Sequence, residues 1–356
     1  MFPPSRYLPW AIRFYGQVPF DLATSGTPIF ETAELGDPGR SEPASVLRLR
    51  SAIARHNDVP ELEAVATLGG THAIWLVYAT LLTPGDEVLV ESPAYEPLVS
   101  AALGVGAVVN HFERRATKNF ALDPARVAAA ITNRTRLVVV TNLHNPSGAR
   151  ASDDVLLELA KICEARGAHL LVDEVYAPFD AIAGANGVWK GSARKLAPNV
   201  IAIGSLTKCY GLGRERIGWV LGPEDVIARA ADTLLMSCGA LPLVHAQLGA
   251  HAFTCLDKLA RRSRDLLAGK REVVERWIAT RPDLTWSAPT SGLFGFAIST
   301  RSENMLARIE RAATEHGVLV APGSFFGIPS GFRLAWSIDR ALLDEGLARL
   351  GRALDD

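Results

Sequence analysis

Cysteine is sparse, and none of it is paired for a bridge or a metal: Cys163, Cys209, Cys238 and Cys255 stand apart, with no Cys-x-x-Cys among them. This excludes a disulfide framework, gives no reason to expect a metal site, and points to a reducing compartment, the cytoplasm. Excess charge is missing too. With 37 basic and 38 acidic side chains the net charge is −1, so nothing calls for nucleic acid or an anionic membrane surface as a partner. Long apolar runs are absent: the longest near-apolar stretch, residues 73–82, is too short for a bilayer and stops at Thr83-Pro84-Gly85-Asp86. The opening residues, Met1-Phe2-Pro3-Pro4-Ser5-Arg6, lack the basic start and apolar core of an export signal. No internal repeat or low-complexity linker interrupts the chain. What is present is a sequence of 356 residues, 48% hydrophobic and 21% charged, an ordinary globular composition with length enough for two domains.

From about residue 60 to residue 222, short apolar runs alternate with helical patterns. Strands are expected at 87–90, 107–112, 136–141, 169–172, 200–203 and 217–221, with a helix at 152–166 that starts on a Ser/Asp cap and stops at Gly167. Such alternation predicts an α/β fold with a mostly parallel sheet covered by helices on both faces, and ligands at the carboxyl ends of its strands. A charged helix at about 256–280 leads out of this region. Strands at 284–287, 294–298 and 331–337 and a helix at 303–316 then predict a smaller α+β unit. The first forty or so residues, rich in proline, glycine and aromatics, read as an extended arm.

Five clusters at strand ends carry chemistry. Lys208 follows the apolar run Val200-Ile201-Ala202-Ile203, and burial there favours a neutral, nucleophilic amine. Ser205 and Arg216 flank it with a hydroxyl and a permanent cation, a pair suited to phosphate. An amine beside an anion site suggests a covalently held, phosphorylated aldehyde cofactor; the alternative is a solvated loop lysine. Ser205-x-x-Lys208 also has the spacing of the serine β-lactamase nucleophile, but the Ser-Asp-Asn and Lys-Thr-Gly elements of that family are absent. Gly69-Gly70-Thr71 opens a helix whose free N–H groups suit a phosphate, unless it is simply a helix start. Asn145, in the Asn-Pro-Ser-Gly turn after Leu137–Val140, can present its amide to a ligand, and the neighbouring His144 reads as a structural hydrogen-bonding residue. Asp173 ends the apolar Leu170-Leu171-Val172 and should have a cationic partner, with Tyr176 three residues on. Arg333, inside Phe332–Trp336, needs an anion: either a substrate carboxylate or an internal partner such as Asp339.

In their order and spacing these clusters, with Pro93-Ala94-Tyr95, resemble the class I and II aminotransferases of pyridoxal-phosphate fold type I (aspartate aminotransferase-like). The resemblance runs from about Gly69 to Arg333. It implies a seven-stranded sheet in a large domain at 45–260, and a small domain made of 1–44 and 261–356. It implies pyridoxal 5′-phosphate as cofactor, a homodimer, and a ping-pong exchange of an amino group between an amino acid and a 2-oxo acid. Lys208 is then the Schiff-base lysine and proton carrier. Asp173 pairs with the pyridinium nitrogen, while Tyr176 and Asn145 donate to the phenolic oxygen and Tyr95 stacks on the ring. Gly70, Thr71, Ser205 and Arg216 hold the phosphate, Arg333 clamps the substrate carboxylate, and Gly26 in the arm lines the substrate side. A decarboxylase, β-lyase, racemase or other amino-acid-modifying enzyme on the same scaffold is the alternative, and a DNA-binding regulator is disfavoured by the short, weakly basic arm. One departure stands out: residues 31–55 hold no tyrosine, where many relatives place one that reaches the partner subunit's phosphate. No residue marks which amino acid is the donor.

Overall fold

Continuous apolar runs become buried parallel strands in this chain because helices cover both sheet faces, while the edge strand at 108–113 keeps several residues exposed. The computed structural model describes residues 3–184, 189, 191–301 and 304–356. The strands in chain order are β1 (Phe20–Asp21), β2 (Ala64–Thr67), β3 (Glu87–Ser92), β4 (Val108–Glu113), β5 (Thr135–Thr141), β6 (His169–Asp173) and β7 (Val200–Ser205). They continue as β8 (Gly218–Leu221), β9 (Leu284–Trp286), β10 (Phe294–Ser299), β11 (Val318–Leu319), β12 (Ala321–Pro322) and β13 (Gly331–Ala335).

Seven of them form one sheet in the order β2-β8-β7-β6-β5-β3-β4. Its core from β4 to β7 is parallel, and β8 runs antiparallel to both β7 and β2. Alternate residues of β5 feed the two sides: Leu137 and Val139 enter one hydrophobic core, Val138 and Val140 the other. All six strands expected in this region are present within two residues of their expected ends, and β2 is the seventh. A second sheet, β12-β13-β10-β9, is antiparallel and encloses its own core with the N-terminal residues and the last helix, Arg340–Asp355. The chain is therefore α/β, with a mostly parallel seven-stranded sheet and a smaller α+β unit built from arm and C-terminal part.

Two expectations needed correction. The arm is not extended throughout: Tyr7–Phe14 is a helix, α1, whose buried face is Tyr7, Trp10, Ala11 and Phe14. Its start is capped from a distance. Glu96 accepts from Ser5 Oγ at 2.9 Å and from the backbone N–H groups of Arg6 and Tyr7 at 2.7 and 2.6 Å. The long helix at 256–280 is two, Leu256–Leu267 and Lys270–Ala279, separated where Gly269 adopts φ +68°. The helix expected at 303–316 spans Leu306–Glu315; Glu303, its expected start, lies outside the described residues. After α1 the arm pairs β1 with β11 in parallel and then passes over the carboxyl end of the large sheet, where the Thr27 N–H donates to the Lys208 carbonyl at 2.9 Å.

Candidate active site

The carboxyl ends of β3, β5, β6 and β7 bring the chemistry-bearing residues to one place. Lys208 lies three residues beyond β7, and its Nζ donates to Ser25 Oγ at 3.3 Å. Tyr176 donates to the same oxygen at 3.0 Å, so the arm hydroxyl holds lysine and tyrosine together. The Gly26 backbone runs along the lysine: a Cβ at Gly26 would lie 3.7 Å from Lys208 Cδ. Burial pulls the Lys208 ammonium down to about 8, with Arg333 and Arg216 acting the same way and Tyr7 and Asp173 against it.

Asp173 closes β6, paired across the sheet with Thr141 and Ile203. Its carboxylate is buried and accepts only the Val175 N–H, at 3.1 Å; no cation pairs with it among the described residues. The expected ionic partner is thus absent among the described residues. Burial pushes the Asp173 carboxyl up to about 7. Glu91 adds to that rise, and Lys208 opposes it. Glu91 itself is satisfied. It accepts from Arg114 at 2.8 Å and from the Thr141 N–H at 2.7 Å, and both side chains of this ion pair are almost wholly buried at 0% and 1% exposure.

An anion cradle lies beside the lysine. Gly69, at φ +82°, precedes helix α2 (Gly70–Leu81), which has no side-chain cap. Thr71 is exposed in the first turn of that helix. A Cβ at Gly70 would sit 4.0 Å from Ser205 Oγ, and one at Gly69 would strike the Arg216 guanidinium at 2.6 Å. Arg216 donates to the carbonyls of Gly213 and Leu68, and no carboxylate pairs with it among the described residues. Thr207 Oγ1 is buried without a partner. The sheet itself crowds this turn: Gly218 of β8 has no room for a side chain, since its Cβ would lie 2.6 Å from the Gly69 carbonyl carbon.

Opposite stands Arg333 in β13, fully buried between the rings of Phe294 and Phe326 at 5.0 and 5.1 Å. It donates to Asn145 Oδ1 at 2.7 Å, Ala23 O at 2.9 Å and Tyr7 Oη at 3.2 Å, and its Nε–H has no partner. Asp339 is occupied elsewhere, accepting the Ala341 N–H at the start of the last helix, so the internal ion pair does not form. A buried guanidinium ringed only by neutral acceptors is a receptor for an anion. The Asn145 amide N–H2 has no acceptor among the described residues, and Tyr95 at the end of the β3 loop meets Tyr7 edge-on at 5.8 Å. His144 is held by Ser147 and the Pro93 carbonyl, a structural position.

These contacts join Lys208, Tyr176 and Gly26 to one another and Arg333 to Asn145 and, through Tyr7, to Tyr95; Gly70, Ser205 and Arg216 meet at the Gly69 turn, Asp173 lies within electrostatic reach of Lys208, and Thr71 has no such contact among the described residues. Sequence reasoning missed Tyr7 and Thr207, and left the Glu91–Arg114 pair unnoticed. Thr207 had a signal, a hydroxyl next to the lysine; the other residues had none, because their partners are distant in the chain. The side chains fit pyridoxal 5′-phosphate through their unmet valences. An unpaired buried carboxylate suits a pyridinium, an uncapped helix end with Arg216 and an orphan Thr207 hydroxyl suits a phosphate, and a half-neutral amine suits an aldehyde.

Comparison with known proteins gives the same picture. The family described as "Aminotransferase class I and II" matches residues 43–350. Capreomycidine synthase of Streptomyces vinaceus is 32% identical over 97% of this chain and 92% of its own. Aspartate/prephenate aminotransferase of Thermus thermophilus is 29% identical over 93% and 90%. The solved structure of aspartate aminotransferase from Thermus thermophilus with maleate superposes at a TM-score of 0.86, with 25% identity over 99% of this chain and 97% of that one.

Proposed function

Since the chain belongs to the class I and II aminotransferase family, enzymes that use pyridoxal 5′-phosphate, we propose that it exchanges an amino group between an amino acid and a 2-oxo acid in two half-reactions. One observation carries this reading: Arg333, a buried cation whose Nε–H has no partner among the described residues, lies near enough to Lys208 to act on its ammonium. A guanidinium so placed binds the α-carboxylate and keeps it attached while the amino group leaves.

Asp173, Tyr176 and Asn145 would hold the cofactor ring, with Tyr95 against it, and Gly70, Thr71, Ser205, Thr207 and Arg216 would hold its phosphate. When bound, the cofactor supplies an aldehyde for the substrate's amino group and a ring that withdraws the electrons left at the α-carbon. Lys208 Nζ takes the α-proton; with the ammonium at about 8, a useful fraction of the amine is neutral at pH 7 to 8. Ser25 holds that nitrogen beside the site between proton transfers. Arg333 and Asn145 orient the substrate, and the aromatic wall of Tyr7, Tyr95 and Phe326 keeps water from it.

Each amino acid in turn is mixed with loaded enzyme in the absence of a 2-oxo acid. Transamination yields one equivalent of the matching 2-oxo acid per site, then stops with the cofactor carrying the amino group. Continuous turnover of one amino acid into a product that retains its nitrogen sinks the proposal. The similarity to a protein named as a synthase supports a second reading, a rearrangement or cyclisation of an amino acid at the same site.

The same reading includes a homodimer, supported by the apolar side chains Met236 and Val244, 89% and 65% exposed, with Leu47 and Leu235 also outside. It includes a large domain at 45–260 with a small domain from 1–44 and 261–356. Four unbridged cysteines support action in the cytoplasm. Among the described residues no helix is long and apolar enough to cross a membrane.

A further inference from the structure

Arg333 is tied to the arm by two tyrosines whose hydroxyls have no part in the reaction as described so far. Its Nη2 donates to Tyr7 Oη at 3.2 Å, Tyr7 and Tyr15 share a bond of 2.6 Å, and Tyr15 donates to the Ala23 carbonyl at 3.2 Å. These contacts fix the protons. Tyr15 gives its own to Ala23, so the bond between the rings carries the Tyr7 proton, and Tyr7 accepts from Arg333. Tyr7 is also rigid. Glu96 anchors its backbone N–H, and its ring packs edge-on against Tyr95 and Phe325 at 5.8 and 5.6 Å. Burial leaves its hydroxyl no water to turn to.

We propose that Tyr7 is a substrate-binding residue, the neutral third donor to the α-carboxylate after Arg333 and Asn145, and that it makes the site selective for amino acids over amines. When a carboxylate lies against Arg333, the Tyr7 hydroxyl has two acceptors within a rotation about its C–O bond. A bond to an ionised acceptor is roughly twice as strong as one between two neutral hydroxyls, so the proton turns from Tyr15 to the carboxylate. No charge moves and no backbone shifts, since Tyr15 keeps its bond to Ala23. This inference rests on the proposed carboxylate role of Arg333.

The test uses cofactor-loaded enzyme and two amines without an α-hydrogen, which cannot complete the reaction: 2-methylalanine and tert-butylamine, the second carrying a methyl where the first carries its carboxylate. Binding of each is followed by the visible absorbance of the cofactor. Tyr7→Phe, which keeps the ring and its packing, is expected to raise the Kd of 2-methylalanine about 10-fold and to leave that of tert-butylamine within about twofold. Tyr15→Phe removes the competing acceptor and is expected to tighten 2-methylalanine by about two- to fivefold. The inference is overturned if Tyr7→Phe changes neither Kd or raises both alike, or if Tyr15→Phe weakens 2-methylalanine as Tyr7→Phe does. Arg333→Met separates the two layers: if it leaves 2-methylalanine unaffected, the carboxylate site itself is wrong. If it weakens 2-methylalanine while Tyr7→Phe does not, only the role of Tyr7 falls.

Discussion

Replacing Asp173 by asparagine should stabilise the cofactor-free protein while disabling the loaded one. The native carboxyl is buried with a single backbone donor and holds its proton up to about 7, against an ordinary value of 3.8. A carboxylate whose folded value is raised lowers stability as pH climbs, because the unfolded chain releases the proton first. The penalty begins near pH 4, grows to about pH 7 and is constant above. A gap of about three pH units corresponds to on the order of 2–4 kcal/mol, the lower figure allowing for relaxation around the ionised group. Asparagine has the same shape, can still accept from Val175, and does not titrate. For a chain of this length about 1 kcal/mol shifts the melting temperature by about 1.3 °C, so the variant should gain roughly 3–5 °C over wild type at pH 8 and almost nothing at pH 4. Thermal melts of both cofactor-free proteins at intervals from pH 4 to pH 8 measure this. The slope of the difference is the test, since any fixed effect of the amide cancels. A difference that does not change with pH would refute the claim that Asp173 is an unpaired charge kept for a ligand. In the loaded enzyme the order should invert, with the cofactor bound about 10- to 100-fold more weakly once the ionic bond is gone.

Lys208→Ala should lose about 10²–10⁴-fold in rate, and borohydride reduction should fix no cofactor to the variant where it fixes one per chain in wild type. Arg114→Met strands Glu91 in the interior and should cost about 3–5 kcal/mol at pH 7, while Glu91→Gln with Arg114→Met should recover most of it in thermal melts. Burial already raises the Glu91 carboxyl. The single-variant penalty should therefore shrink as pH falls and the stranded group takes up a proton. Gly218→Ala pushes a methyl into the Gly69 turn, so cofactor titration should show weaker binding at a stability cost of about 1–3 kcal/mol.

Much of the candidate site was legible because three of its residues, Asn145, Asp173 and Lys208, come soon after an apolar run. Leu137–Val140, Leu170–Val172 and Val200–Ile203 announce buried strands, and a parallel sheet gathers the residues at its strands' carboxyl ends along one edge. Asn145, Asp173 and Lys208 needed no further information. The arm was harder. Helix α1 has a local cap in Ser5, whose Oγ accepts from the Leu8 N–H at 3.2 Å, but the rest of its start is satisfied by Glu96 some ninety residues away, and Pro9 within it argues against a helix. Tyr7 therefore could not be placed beside Arg333. Arg114 sits in Glu113-Arg114-Arg115, which reads as a solvated run, although only its middle member turns inward to Glu91. The cation expected for Asp173 is not supplied by the described residues; the proposed cofactor would supply it, as the rule that buried charges are paired requires.

The bonds from Arg333 to Tyr7 and Ala23 join residues 326 and 310 positions apart. Asp173 and Ser205 lie in a sheet complete by residue 221, and Lys208 and Arg216 in the connection between its strands β7 and β8, so the proposed anchor points of the cofactor can assemble while the chain is still being made. The substrate pocket cannot. Its arm must wait, with α1 and its aromatic face uncovered, until β11 and β13 have been synthesised to receive it. During synthesis the protein thus gains its capacity to hold a cofactor well before its capacity to choose a substrate.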